Sequence, residues 1–404
     1  MSNTALLKSF GQYSSERINV QNVTSESFVT VDNMLPNKAG ITKATIPVPV
    51  KGKIPGYQNE NILIGNIRPY LKKIWFSNKC GGCSPDVLVL KINSNHHAKF
   101  VYYALLQDDF FVHMMNGAKG TKMPRGDKRQ ILDFLIPNYT LSKQKKIATI
   151  LSTLDVKIEL NNRINAELEA MAKTLYDYWF VQFDFPDENG NPYKSSGGKM
   201  IYNSLLKKEI PEEWEFGTFS ALVETNPQEK LLNGSLAPHI EMRAVPEIGS
   251  CIANITQKIV SSGTKFRNND VLLARITPCL ENGKTALVQG LTDNIVGHGS
   301  TEFVVLRSKY REAEGLIYLT ARNKDFRTYC ISNMTGTSGR KRISGAQVGA
   351  YKMAVSPAKV VRQFARQTTN IFKKIGGLHQ ENQQLTQLRD WLLPMLMNGQ
   401  ITVQ

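Results

Sequence analysis

Residues 141–179, LSKQKKIATILSTLDVKIELNNRINAELEAMAKTLYDYW, decide how the rest of the chain is read. Apolar side chains recur at Ile147, Leu151, Leu154, Ile158, Leu168, Ala172, Leu175 and Trp179, steps of three and four that line one face of a helix. No Gly or Pro interrupts the run; Pro137 precedes it and Pro186 follows it. At 1.5 Å rise per residue such a helix spans about 58 Å, which in mid-chain makes it a spacer. Taken alone, the pattern equally suits an ordinary amphipathic core helix.

Its recurrence near the other end of the chain favours the spacer. Phe364, Thr368, Ile371, Ile375, Leu378, Asn382, Leu385 and Leu392 take the places of Ile147, Leu151, Leu154, Ile158, Asn161, Asn165, Leu168 and Leu175. Both stretches then share a polar seam position, Asn165 and Asn382, and a buried Asn at a helix seam fixes register at a cost in stability. The two helices are therefore expected to pack on each other as an antiparallel coiled coil.

The regions between them repeat in the same order. NILIGNIRPYL (61–71) matches DVLLARITPCL (270–280), SPDVLVLK (84–91) matches STEFVVLR (300–307), and Gly120-Thr121 matches Gly336-Thr337. The expected fold is α+β: two mixed α/β domains joined by two long helices, related by a pseudo-twofold internal repeat. Boundaries are drawn at 1–140, 141–185, 186–357 and 358–404, with the Gly- and turn-rich DFPDENGNPYKSSGGK (184–199) as connector. FVTVDNML (28–35), NILIGNIRPYL and PDVLVLKI (85–92) read as strands, FVYYALLQDDFFVHMM (100–115) as a helix, and Pro394 should kink or close the distal helix.

The chain has 404 residues, 41% of them hydrophobic, enough for two or three cored domains. Fifty Lys and Arg against 34 Asp and Glu give a formal charge of +16, which favours a polyanionic partner. No basic amphipathic helix with exposed bulky residues points to a membrane surface, so double-stranded DNA is the partner expected. There is no apolar run of membrane-spanning length and no signal-peptide pattern at the N-terminus, so a cytoplasmic location is expected. Five cysteines fit a reducing compartment. Cys80 and Cys83, in KCGGC, lack a second C-x-x-C and suitably spaced histidines, and read as a Gly-containing turn with two free thiols and no metal.

Catalytic signatures do not form. No N-P-P-Y or D-P-P-Y tetrapeptide is present, and NGKTALV (282–288) has Pro278 where a phosphate-binding loop needs its first Gly. Asp86 and Lys91 are not the acid cluster of a metal-dependent nuclease, and His298 has no sequence partner for catalysis. The chain is expected to be no enzyme by itself and to bind no cofactor.

Binding signals are better defined. Lys119, Lys122, Arg125, Lys128 and Arg129 crowd a loop interleaved with Gly and Pro, and Arg340, Lys341 and Arg342 occupy the equivalent loop of the second half. Cations on pliable backbone suit contact with phosphates, although a charge run alone is usually a solvated surface. Arg68 and Arg275 follow the repeated strands and either reach guanine edges or support the fold through buried hydrogen bonds, and Lys284 is a weaker candidate of the same kind. Asn66, Thr277, Asn282, His298 and Ser300 are weaker candidates. A duplicated reader on a two-fold frame suits duplex DNA, and unlike domains imply an asymmetric, bipartite target whose gap is set by helix length.

The residues resemble the specificity subunits of type I restriction-modification systems. KIELNNRINAELEAMAKTLYDYWFVQFDFP, IPEEWEFGTF, DVLLARITPCLENGKTALV, GSTEFVVLR and LRDWLLPMLMNGQ carry the likeness, spread over nearly the whole chain. The resemblance implies two target-recognition domains, helices that dock two methyltransferase subunits using S-adenosylmethionine, and restriction (translocase) subunits using ATP and Mg. Two departures stand out: Lys143 occupies the place of an acid usual before the first helix, and the first domain has no counterpart of IPEEW. Outside this reading, the chain could be a coiled-coil scaffold whose charge serves solubility, or a stand-alone nucleic-acid enzyme.

Overall fold

The apolar runs of the repeat become the inner strands of two sheets built alike. The computed structural model describes residues 4–403 except 293 and 338. The chain divides into unit 1, Met1–Ile158 with Gln384–Gln404, and unit 2, Glu159–Gln383.

In unit 1 the strands Gly11–Tyr13, Val87–Ile92, Ile62–Gly65 and Ile74–Phe76 lie side by side in that order, all antiparallel. Successive side chains leave opposite faces of a strand, and here both faces are covered. Ile62, Ile64, Leu88 and Leu90 enter one core with the helices Ala98–Leu105 and Asp108–Asn116. Leu63, Val87 and Val89 enter another with Val29, Met34, Tyr57 and Cys83. Burial on both sides is why these runs show no polar alternation. Unit 2 repeats the order with Val223–Thr225, Phe303–Ser308, Val271–Ala274 and Thr285–Leu287, again placing Leu273 and Val304 on one side and Leu272 and Val305 on the other.

The second sheet of each unit differs in one strand. Gly81–Cys83 and Gly297–Gly299 correspond, each flanked by one parallel and one antiparallel neighbour. The fourth strand then joins the antiparallel neighbour in unit 1 (Arg17–Asn19 on Lys53–Tyr57) but the parallel neighbour in unit 2 (Thr256–Ile259 on Leu236–Ile240). A common frame thus carries one strand on opposite edges.

Several sequence expectations need correction. The 28–35 run is a strand only at Phe28–Val29, because the Asn33 side chain accepts a hydrogen bond from the Thr30 N–H and turns the chain. The 100–115 run breaks into two helices around Leu106–Gln107. KCGGC is not a turn: Gly81–Cys83 is a strand, with Cys83 buried, its thiol pushed up to about 12 by that burial, and Cys80 exposed. An opening strand is present in unit 1, since Thr4–Leu6 pairs with Leu135–Pro137 as Glu215–Thr218 pairs with Lys352–Val355. IPEEW instead closes a hairpin of unit 2, Met200–Asn203 with Lys208–Pro211, and buries Trp214 among Phe180, Phe183 and Phe185.

The first long helix runs Leu141–Tyr176 and ends in a wide turn, Asp177–Val181, that buries Trp179 and Phe180. The second runs Ala358–Met397 and continues one turn past Pro394. Proline removes one backbone donor, but Leu393, Leu396 and Met397 are buried and hold that last turn in place. Lys143, the residue in the place of the acid, sits over the Tyr139 ring at 3.7 Å.

Within unit 1, Ile147, Ala148 and Leu151 share a core with Leu393, Leu396 and Met397, and Asp155 pairs with Arg389 at 3.0 Å. Within unit 2, Trp179 and Phe180 meet Phe364 edge to face, and Asn161 donates to Asn382 Oδ1 at 2.9 Å and to Glu381 at 2.7 Å. In each unit later residues of one helix meet earlier residues of the other, so both local pairings are antiparallel. Ile375 and Leu378 are buried, while Leu154, Ile158, Leu168, Leu175, Ile371, Leu385 and Leu392 are half-buried. Asn382 accepts from Asn161 and donates to Asn162 Oδ1 at 2.8 Å.

Asn161→Leu should therefore destabilise the protein by about 1–3 kcal/mol, while Asn161→Leu with Asn382→Leu recovers part of the loss. Urea midpoints of the three proteins check this; a single variant as stable as the unaltered chain would refute it.

Candidate nucleic-acid interface

Both basic loops are hairpins closed by reciprocal backbone hydrogen bonds. Lys119 and Arg125 exchange two at 2.9 Å in unit 1; Thr335 and Arg342 exchange two at 2.9 and 2.8 Å in unit 2. Gly120 and Gly336 turn the chain at φ +96° and +127°, values that side chains with a Cβ rarely adopt. The loop of unit 2 includes residue 338, outside the described residues.

Each hairpin is tied to the loop that leaves the central strand, bond for bond. Asn66 N–H donates to Asp86 O and Gly126 N–H to Asn66 O; Arg275 N–H donates to Glu302 O and Ile343 N–H to Arg275 O. Arg68 N–H donates to Pro124 O as Thr277 N–H donates to Lys341 O. The counterpart of Arg275 is thus Asn66, and that of Arg68 is Thr277, in line with the register in which NILIGNIRPYL matches DVLLARITPCL. The Asn66 Oδ1 and Arg275 Nε atoms are buried without a hydrogen-bond partner among the described residues.

One side-chain contact recurs with the backbone pattern. Arg125 reaches Asp86 Oδ1 at 3.1 Å, and Arg342 holds Glu302 with Nε at 3.0 and 2.9 Å and Nη2 at 2.7 Å. The Arg342 guanidinium holds the Glu302 carboxyl below the usual carboxylate range, against a smaller opposing effect of burial. The contact is present above the ordinary carboxylate pKa and is lost as pH falls through the lowered one.

These contacts sort the candidate cations. Arg125 and Arg342 are engaged by acids, and Lys284 is spent on the Met242 and Val245 carbonyl oxygens, at 3.2 and 2.9 Å. Those two hydrogen bonds tie Lys284 to the loop 242–245 of unit 2. Lys122, Lys128, Arg129, Arg340, Lys341 and Arg68 are exposed; Lys119 is also exposed, 3.7 Å from Asp127. Asp127 caps the short helix Lys128–Leu132 through the Arg129 and Gln130 N–H groups, and those hydrogen bonds depress its pKa. Lys128 and Arg129 sit at the helix end where cations are electrostatically disfavoured, so the helix gains nothing from their charge. Ser344 caps the matching helix, Gly345–Gly349.

Arg68, in a left-handed backbone conformation, lines a cavity of about 370 Å³ with Ile67, Lys73, Asp86 and Met123, immediately under the hairpin of unit 1. Of the weaker candidates, Asn282 donates to Glu247 and His298 is buried beside the His239 ring. Sequence reasoning passed over Asp86 and Glu302 as binding-site residues, although each stands third in the matched segments SPDVLVLK and STEFVVLR. Together the exposed cations offer each unit a positively charged ridge beside its sheet, suited to phosphate contact. Among the described residues no cluster of three or more His, Cys, Asp or Glu could hold a metal ion, and no helix is long and apolar enough to cross a membrane.

Residues 9–170 match the type I restriction modification DNA specificity domain. Over 322 residues, 76% of this chain, it is 22% identical to the type I restriction enzyme MjaIX specificity subunit of Methanocaldococcus jannaschii, covering 70% of that protein. It is 24% identical to the HindI specificity subunit of Haemophilus influenzae over 64% of this chain and 67% of that one. The crystal structure of the S subunit of a type I restriction-modification system from M. genitalium superposes with a TM-score of 0.59 at 17% identity, covering 98% of this chain and 96% of that one, and shares the fold. Residues 9–170 thus carry the likeness to the type I restriction modification DNA specificity domain, and the chain is similar over much of its length to specificity subunits of type I restriction enzymes.

Proposed function

We propose that unit 1 and unit 2 each read one half of an asymmetric, bipartite duplex site. The observation that carries this reading is the clasped basic hairpin, present in both units on the same backbone pattern but with unlike loop residues. Shared scaffolding with different loops is what two readers of different half-sites require. The domains drawn at 1–140 and 186–357 are the two target-recognition domains in this proposal, and the long helices carry the docking surface for partners. Val156, Leu160, Met171, Leu388 and Trp391 are exposed apolar residues on those helices, suited to receive two methyltransferase subunits that use S-adenosylmethionine. Restriction subunits driven by ATP and Mg complete the assembly, and this chain supplies its address.

The test is a genome-wide map of methyladenine in cells with and without this chain. A bipartite motif that disappears with the chain is the expected result; an unchanged map refutes the reading. Removing two turns of the first helix should also alter the gap between the half-motifs, and a motif with its original gap would refute the helix as a ruler.

A further inference from the structure

We infer that Asp86 and Glu302 are positioning residues for DNA recognition, each holding its unit's basic hairpin, through Arg125 or Arg342, in the posture that presents the free cations to one half-site. The inference rests on the bipartite reading above. An acid beside a cationic ridge repels the phosphates that the ridge attracts, so its occurrence at matched positions of both units calls for a compensating role. The geometry supplies one. Arg342 spans from Glu302 to the turn itself, with Nη1 3.5 Å from the Arg340 carbonyl oxygen. Beyond the backbone pair that closes each hairpin, the turn passes through Gly120 or Gly336 at positive φ, and the side-chain clasp anchors the hairpin's closing arginine to the acid.

A partly exposed ion pair of this kind adds little to overall stability, so losing it should leave the fold intact and loosen only the hairpin. The side chains of Arg342 and Glu302 are 41% and 24% exposed, and those of Arg125 and Asp86 60% and 36%. The clasp is therefore local to the ridge it orders.

The sign of the effect decides the matter. Glu302→Gln removes a negative charge and frees Arg342. If electrostatics alone governed binding, affinity for duplex DNA would rise and its salt dependence would steepen by about one contact. If the clasp positions the hairpin, affinity falls about three- to fivefold, the scale of a surface ion pair, and discrimination against base changes relaxes in only one half-site.

The experiment measures fluorescence anisotropy of the chain assembled with its methyltransferase subunits, on duplexes carrying the mapped motif and single-base variants in each half, at several salt concentrations. Asp86→Asn should relax the half-site that Glu302→Gln leaves untouched. Tighter or unchanged binding of Glu302→Gln would overturn the inference. Should that variant melt early, the swap Glu302→Arg with Arg342→Glu decides: restored affinity supports the clasp, and weak binding with a normal melting curve overturns it. An unaltered assembly that binds all duplexes alike would overturn the bipartite reading and the clasp with it, whereas a discriminating one unmoved by either substitution removes the clasp alone.

Discussion

Replacing Lys119, Lys122, Lys128 and Arg129 together by Ala is expected to weaken duplex binding by the assembled protein about a hundredfold at physiological salt. All four side chains are exposed on the hairpin of unit 1 or the helix that follows it. Each phosphate contact releases condensed counterions, so log affinity falls with log salt by about 0.9 per contact, and loss of all four should flatten that slope by up to about 3.6. Arg125→Ala should flatten it far less, because Asp86 already engages that guanidinium. The measurement is affinity across a salt series on one duplex. An unchanged slope in the fourfold variant would show that these cations face solvent, and would leave unit 1 without its ridge.

The second large effect is on stability. Phe364→Ala should cost about 3–5 kcal/mol, the range for deleting a buried aromatic ring. Phe364 is fully buried and meets Trp179 at 5.5 Å and Phe180 at 5.0 Å between ring centroids, both edge to face. The same core continues through Ala172, Ile375 and Phe372, so the cavity cannot be filled by solvent-exposed neighbours. Urea denaturation followed by far-ultraviolet circular dichroism reads the loss as a lowered midpoint. A shift below about 1 kcal/mol would mean that this end of the helix pair collapses around the gap or is not packed as described.

Much of this fold was legible because it is duplicated. Periodicity in the 141–179 run and its copy marks two long helices, and the doubled strand segments mark two sheets of equal strand order. The match of Asn165 with Asn382 marks equivalent seam positions and does not name the residue opposite, which in the antiparallel pair is Asn161 for Asn382. Lys284 was not separable in sequence from the other candidates, because a cation beside a repeated strand looks the same whether it meets a phosphate or two carbonyl oxygens. The acids of the clasp were visible in the alignment of Asp86 with Glu302, but opposite charge in a basic site reads as noise until the distance to Arg125 or Arg342 is known. The displaced fourth strand of the second sheet left no signal, because short edge strands such as Arg17–Asn19 bury little and carry no strong pattern.

The last turns of the second helix have a consequence for synthesis. Leu393, Leu396 and Met397 fill the core of unit 1 beside Ile147 and Leu151, and Tyr139 donates to the Met397 carbonyl oxygen at 2.9 Å. During translation, therefore, the domain that is made first is completed last. Every residue of unit 2 has been added before Gln384 begins the segment that closes unit 1. A ribosome that stops short of that segment releases a chain with unit 2 finished and the core of unit 1 open, so an intact unit 1 certifies that translation has passed Met397.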